Sequence, residues 1–243
     1  TGIEISSWGQ DLGGSLTLID AVEAICRAVP AHIRVRLGSL EPRTITPEFC
    51  RRAAALPNLC PHFHLSMQSG CDSVLARMNR KYDSARYYKS VKLLNEAYEA
   101  PGITTDLIVG FPGETEEEFQ QTLAFIRRCA FSAMHIFPYS RRPGTPADGM
   151  PGQILNSIKE ERAHRAQQTA LEMEAAYLDR WVGQTVPVLF EEERDGLWRG
   201  HTTRYSEVAA PSGEDLHNQL RQVYITGRAG NILQGELCEG QEK

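Results

Sequence analysis

The chain has no uninterrupted apolar run of about eighteen residues, which excludes a simple helical membrane span. It shows no secretory leader, and it opens on Thr1, within the strand-like stretch Gly2-Ile-Glu-Ile-Ser6. The expectation is a chain that begins inside a larger fold. Six cysteines stand at 26, 50, 60, 71, 129 and 238, and none forms a CxxC or CxxxCxxC cluster. No metal site is therefore read in this chain, and the cysteines are expected to be reduced packing residues of a cytoplasmic protein. Basic residues are not in excess: Lys and Arg number 26 against 31 Asp and Glu, a formal charge of −5. That argues against a generally basic nucleic-acid surface and leaves local ones open. Arg77, Arg80, Lys81 and Arg86, and the pair Arg141-Arg142, fit phosphate contacts and a solvated face equally well.

What is present is most concentrated between Thr104 and Phe119. Ile103, Leu107, Ile108 and Val109 suit a buried strand, and Gly110 and Gly113 allow a sharp turn. Thr115 and Glu118 then form a capping box ahead of Phe119, Leu123 and Ile126. Acids open this helix and Arg127-Arg128 close it, as the dipole prefers. Ligands of α/β folds gather at such strand C-termini.

Strand-like segments recur at Ile3–Ser6, Ile33–Gly38, Phe63–Ser69, Ile103–Gly110 and Met134–Tyr139. Helical patterns separate them: Leu16 to Val29, one opening at Thr46-Pro47-Glu48, Ser84 to Ala100, and Glu116 to Ala130. This alternation predicts a parallel sheet with right-handed crossovers. Period two divides the strands into unlike faces. His62, His64, Ser66 and Gln68 oppose Phe63, Leu65 and Met67; His32, Arg34 and Arg36 oppose Ile33, Val35 and Leu37. Glu4 and Ser6 oppose Ile3 and Ile5, Thr104 and Asp106 oppose Ile103, Thr105 and Leu107, and His135 opposes Met134 and Ile136. A doubly wound sheet would be apolar on both faces. One polar face instead predicts a curved sheet or incomplete barrel around a polar ligand, where Arg34, Arg36, Glu4 and Asp106 must pair with each other or with that ligand. His62 and His64 fit polar lining better than metal ligation, because no third ligand lies nearby.

Pro138 to Pro146 is a rigid loop that suits either a site wall or a plain connector. A long helix is expected over 153–181, with Ala166, Ala170, Met173, Tyr177 and Trp181 on one packing stripe, ended by Gly183. Short strands follow at Val186–Phe190, Leu197–Thr202, Ser206–Ala210 and Gln222–Thr226, the pattern of a small OB-like barrel. The domains are set at 1–182 and 183–243. This tail carries ten acidic residues against six basic ones, which weakens any RNA-binding case made from charge. Trp198, Tyr205 and Tyr224 suit either base stacking or barrel core.

Four stretches together carry a resemblance: His62-Phe-His-Leu-Ser-Met-Gln-Ser-Gly70, Met78-Asn-Arg-Lys-Tyr82, Thr105-Asp-Leu-Ile-Val-Gly-Phe-Pro-Gly-Glu-Thr115 and His135-Ile-Phe-Pro-Tyr-Ser-Arg-Arg-Pro-Gly-Thr145. With Arg36-Leu-Gly-Ser-Leu-Glu-Pro42, they resemble the radical S-adenosylmethionine (SAM) methylthiotransferases, most closely the MtaB branch, which acts on N6-threonylcarbamoyladenosine at position 37 of tRNA. The resemblance covers essentially the whole chain. It implies a partial (βα)6 barrel holding SAM, followed by a TRAM domain that holds tRNA. It further implies a SAM-cleaving 4Fe-4S cluster, a second 4Fe-4S cluster for sulfur insertion, and a reducing electron donor. The six cysteines do not match the family's cluster-ligand positions, so the expectation is that those ligands precede Thr1 and that this chain alone is inactive. By resemblance, Glu4 and Ser6 approach the methionine ammonium of SAM, and Ser39, Ser66 and Gln68 its ribose or carboxylate. Ile108 and Gly110 flank the adenine, Phe137 and Tyr139 border it, and Arg141, Arg142 and Arg80 face the RNA. Asp106 is left open between an inward arginine and the ligand. Two neighbouring substrates, isopentenyladenosine in tRNA and a ribosomal-protein aspartate, fit the same motifs. A non-catalytic RNA-binding fragment is the reading from another class.

Overall fold

The computed structural model describes residues 5–9, 11 and 14–238. Two compact units divide the chain between Leu171 and Glu172.

In the first unit, four strands form one parallel sheet in sequence order: β1 (Ser39–Leu40), β2 (His62–Leu65), β3 (Gly102–Val109) and β4 (Ala133–Pro138). Helices α1 (Leu18–Ala28), α2 (Pro47–Ala54), α3 (Asp72–Arg77), α4 (Ser84–Ala97) and α5 (Glu116–Cys129) alternate with them, and α6 (Asn156–Asp179) follows. Local chemistry sets the starts. The Thr46 hydroxyl accepts from Phe49 N–H (3.1 Å) and Asp83 from Arg86 N–H (2.7 Å). The Thr115–Glu118 box forms reciprocally, at 3.2 and 2.9 Å.

The apolar face of the sheet is the core. Phe63, Leu65, Met67, Leu107, Phe119 and Ile126 are fully buried. At about 1.5–3 kcal/mol for each such side chain, this packing is the main stabilising term. Tyr87, also fully buried, satisfies its hydroxyl on Leu65 O (3.0 Å) and Thr105 Oγ1 (3.2 Å), so Thr105 is accommodated on the apolar side.

Two expected strands differ. Ile3 and Glu4 lie outside the described residues, and Ile5–Ser7 is a 3-10 turn. Among the described residues, Ile33–Gly38 pairs only through the single bridge Val35–Leu59, and the ladder begins at Ser39. Ile33 is 44% exposed while Leu37 is buried, so the apolar face reaches the core only at the end of this segment. The short helix α3 and the last strand of the barrel were absent from the sequence reading.

The second unit is a closed barrel of β5 (Thr185–Arg194), β6 (Leu197–Thr202), β7 (Glu207–Ala210), β8 (Leu220–Ala229) and β9 (Ile232–Leu237), in the order β5-β6-β7-β9-β8. Asp195 and Gly196 join β5 to β6 with positive φ at both positions, 55° and 77°, the turn that matches strand twist. Val188, Phe190, Val208, Val223, Ile225 and Leu233 fill the interior, with Tyr177 and Leu178 of α6 packed against them. Trp198 is core, whereas Tyr205 and Tyr224 are 46% and 45% exposed.

Candidate active site

The polar side of the first unit's sheet is continuous from β2 to β4. Register places His64 beside Thr104 and Asp106 beside His135. His64 Nδ1 lies 3.0 Å from Thr104 Oγ1, its Nε2 lies 3.4 Å from Asp106 Oδ2, and the His64 and His135 rings are 6.3 Å apart. His62 is buried on the same face, and desolvation, helped by the charge of Arg36, lowers its pKa to about 4. Histidine 62 is therefore neutral near pH 7. Among the described residues no group of three or more His, Cys, Asp or Glu side chains could hold a metal ion.

At the C-terminal end of β3 and β4 this face opens into a cavity of about 520 Å³, lined by Gln68, Asp106, Ile108, Phe137, Tyr139 and Arg142, among others. Five residues singled out from sequence, Gln68, Ile108, Phe137, Tyr139 and Arg142, thus meet in one place. Gln68 has φ 68°, a left-handed conformation that costs a residue bearing a Cβ about a kcal/mol or more. It is held there by Gln68 N–H donating to Asp106 O and Ile108 N–H donating to Gln68 O, both at 2.9 Å.

The other candidates lie elsewhere. Glu4 is outside the described residues. Ser6 lines a second cavity, of about 740 Å³, with Trp8, Asp20, Glu41, Arg43 and Arg52, and its hydroxyl accepts from Glu41 N–H at 2.9 Å. Ser39 and Ser66 bond each other across β1 and β2, Oγ to Oγ 2.7 Å, and line neither cavity. Arg141 turns to Asp148, with Nε–Oδ1 2.7 Å, while the neighbouring Arg142 reaches the cavity. Arg80 is exposed just beyond α3 and lines neither cavity.

Gly110 is buried and does not line the cavity. Its φ is +71°, and a Cβ there would stand 2.5 Å from Lys159 Cγ. Its N–H donates to Glu114 Oε2 at 2.6 Å. Glu114 is in turn paired with Arg162 (2.8 Å), with the two side chains 1% and 6% exposed, and Arg162 also donates to Glu114 O at 3.0 Å. Burial pushes the Glu114 carboxyl upward, against the lowering effect of the Gly110 N–H and Arg162. Lys159 Nζ donates to Tyr139 O at 3.0 Å. Two cations of α6 thus clamp the turn after β3 and the end of β4, the two backbones that carry the cavity wall. The sequence reading passed over both, although Arg162 shares the four-residue spacing of Ala166 and Ala170 and so sits on the buried stripe.

In the barrel, the exposed Tyr205 stacks on His201, with ring centroids 4.5 Å apart and planes 15° apart. Arg204 covers the Trp181 ring at 4.4 Å.

Residues 9–126 match the family model of the Radical SAM superfamily. The threonylcarbamoyladenosine tRNA methylthiotransferase MtaB of Thermotoga maritima is 41% identical over 79% of this chain and 43% of its own length. The MtaB protein of Bacillus subtilis is 33% identical over 98% of this chain and 56% of its own. The tRNA-2-methylthio-N(6)-dimethylallyladenosine synthase of Chloroflexus aurantiacus is 37% identical over 95% and 50%. The chain spans about half the length of these curated relatives. Among solved structures, coproporphyrinogen III oxidase (HemN) from Escherichia coli, a radical SAM enzyme, matches the fold with TM-score 0.53 and 17% identity, over 65% of this chain and 37% of that one. With its parallel sheet, its polar cavity at the strand ends and relatives of these names, the chain belongs to the radical SAM superfamily, among the methylthiotransferases.

Proposed function

We propose that the chain is the SAM-binding and RNA-binding portion of a tRNA methylthiotransferase, and that its substrate is N6-threonylcarbamoyladenosine at position 37. The observation that carries the first part is the 520 Å³ cavity. Its lining suits a nucleoside: Ile108 and Phe137 offer apolar faces for a base, while Gln68 and Asp106 offer polar groups for a sugar. Those residues fit the adenosyl moiety of SAM. Ser6 and Glu4 keep the methionine end as their assignment, with Glu4 outside the described residues. When bound, SAM supplies the methyl carbon and the 5′-deoxyadenosyl group that activates the target adenine. The residues here bind and orient; Lys159 and Arg162 hold the wall in shape.

The described residues do not fit an iron–sulfur cluster. Five of the six cysteines are buried singly, and burial pushes the Cys50 and Cys129 thiols to about 11 and about 12, away from the thiolate a cluster needs. Two clusters and a reducing donor belong to the proposal for the whole protein.

Arg142 favours threonylcarbamoyladenosine over dimethylallyladenosine. Its side chain borders the cavity, and a guanidinium suits the carboxylate of a threonyl group, whereas a dimethylallyl group gives it no partner. The stacked His201–Tyr205 pair and the exposed Tyr224 support tRNA contact by the barrel. No helix among the described residues is long and apolar enough to cross a membrane, which is compatible with a cytoplasmic setting. The test is nucleoside mass spectrometry of tRNA from cells lacking the gene, and from cells complemented with the complete gene or its R142A form. Loss of 2-methylthio-N6-threonylcarbamoyladenosine, restored by the complete gene and at least tenfold poorer with R142A, is expected. Loss of the dimethylallyl product instead would overturn the substrate assignment, and no change in any methylthio nucleoside would overturn the activity.

A further inference from the structure

We propose that Arg141 and Asp148 form a positioning pair that decides which of two adjacent arginines meets the substrate, and that the segment they brace is the specificity loop for the substituent on the target adenosine. This rests on the reading of Arg142 as the partner of the threonyl carboxylate. Segment 139–152 follows β4 and is pinned at both ends to one neighbour. Tyr139 N–H donates to Val109 O at the end of β3 (2.8 Å), and Gly113 N–H, in the turn after β3, donates to Gly152 O (2.8 Å). The second pin needs a close approach: Gly152 has φ +72°, and a Cβ there would stand 3.3 Å from Gly113 Cα. Compact surface loops with adjoining ends and internal bonds of their own frequently carry function. This one brings Tyr139, Ser140, Arg142, Thr145 and Ala147 to the cavity lining.

Inside the loop the two arginines part. Arg141 donates twice to one residue, Nε to Asp148 Oδ1 (2.7 Å) and Nη2 to Asp148 O (3.0 Å). That fork spans the loop and satisfies the Arg141 charge. Gln153 Nε2 braces the same stretch, 3.0 Å from both Ala147 O and Met150 O. Arg142 is held by its backbone instead. Its carbonyl accepts from Thr145 N–H (3.2 Å) and Thr145 Oγ1 (2.8 Å), with Gly144 turning between them at φ 84°. Among the described residues no acidic side chain pairs with its guanidinium. Neighbouring cations thus have opposite fates: one closes the loop, and the other stands at the cavity wall without a counter-charge. A planar carboxylate is the complementary partner for such a fork. An exposed ion pair adds little to stability, so removing the Arg141–Asp148 pair leaves a folded protein in which the aim of Arg142 is lost.

The experiment is fluorescence-anisotropy titration of the complete protein with labelled anticodon stem–loops carrying N6-threonylcarbamoyladenosine, its methyl ester or N6-dimethylallyladenosine. Wild type is compared with R142A, R141A, D148N and the R141A/D148N double variant, and thermal melts check that each folds. Wild type should prefer the free carboxylate over the ester by about tenfold, the worth of a charge-assisted hydrogen bond. R142A should bind both forms alike. R141A and D148N should each reduce the preference to about threefold or less, with affinity for the ester unchanged, and the double variant should lose no more than either single one. A phosphate contact by Arg141 would instead weaken all three stem–loops equally. That result, an unchanged preference in D148N, or an additive loss in the double variant would overturn the positioning role. No preference for the carboxylate in the wild type, or a preference that survives R142A, would overturn the substrate reading on which it rests.

Discussion

Arg162→Met tests whether the turn after β3 depends on the buried ion pair. Arg162 donates to Glu114 Oε2 (2.8 Å) and to Glu114 O (3.0 Å). Both side chains are almost inaccessible, so neither charge can fall back on water. Its second acid, Glu116, is 3.6 Å away and half exposed, and contributes little. Methionine fills similar volume but leaves the Glu114 carboxylate with only backbone N–H support. Removing one partner of such a pair costs about 3–5 kcal/mol. The deficit should depend on pH. Burial already raises the Glu114 pKa, and without the guanidinium it rises further. The folded variant then binds a proton that the unfolded chain has released, so its stability falls as pH rises above the unfolded carboxyl value of 4.5. The loss is therefore largest at pH 7 and shrinks toward pH 5. Urea denaturation at both pH values, with hydrogen exchange of the 103–119 segment to isolate the first unit, measures it. Glu114→Gln combined with Arg162→Met should recover most of the loss, because no charge is left buried. A single-variant loss below about 1 kcal/mol at pH 7, independent of pH, would refute the reasoning.

Acidification should find a second buried group. The pKa of His62 falls from 6.5 to about 4 on folding, chiefly through burial, so the unfolded chain takes up the proton first and stability is lost as pH falls from 6.5 toward 4. At about 1.4 kcal/mol per pH unit this is roughly 3 kcal/mol, and His62→Gln should flatten that limb of a stability–pH profile. In the barrel, Gly200→Ala would put a Cβ 2.3 Å from Leu189 O and 2.7 Å from Phe190 Cα, both backbone atoms that cannot swing aside. Loss of the barrel's cooperative melt, with Trp198 fluorescence as the probe, is expected at a cost of about 3 kcal/mol or more.

Period-two alternation was legible wherever a helix covers the sheet. Phe63, Leu65 and Met67 are buried and Gln68 reaches the cavity, as their alternation implied. It held only in part over Ile33–Gly38, where Leu37 is buried but Ile33 is exposed, because alternation states only which side chains agree, not whether anything lies over them. The Thr115–Glu118 box was legible because both partners lie within one turn. Short α3 was not, since six residues make under two helical turns and show no period; β9 was not, since Gly235 interrupts its short apolar alternation.

Sequence alone determined the local facts: where helices start, which strand faces are polar, and the motifs that mark the family. These depend on neighbours within a few residues, where backbone geometry is nearly fixed. Only the tertiary structure decided that Ser39 and Ser66 satisfy each other, that Arg141 turns to Asp148 while Arg142 borders the cavity, and that Gly110 serves a close approach by Lys159. It also decided that Asp106 meets His64 instead of an inward arginine. Apart from the Arg141–Asp148 pair, seven residues apart in one loop, those outcomes depend on groups tens of residues apart competing for the same partners, and only the register of the sheet and the path of α6 settle which pairs come within reach.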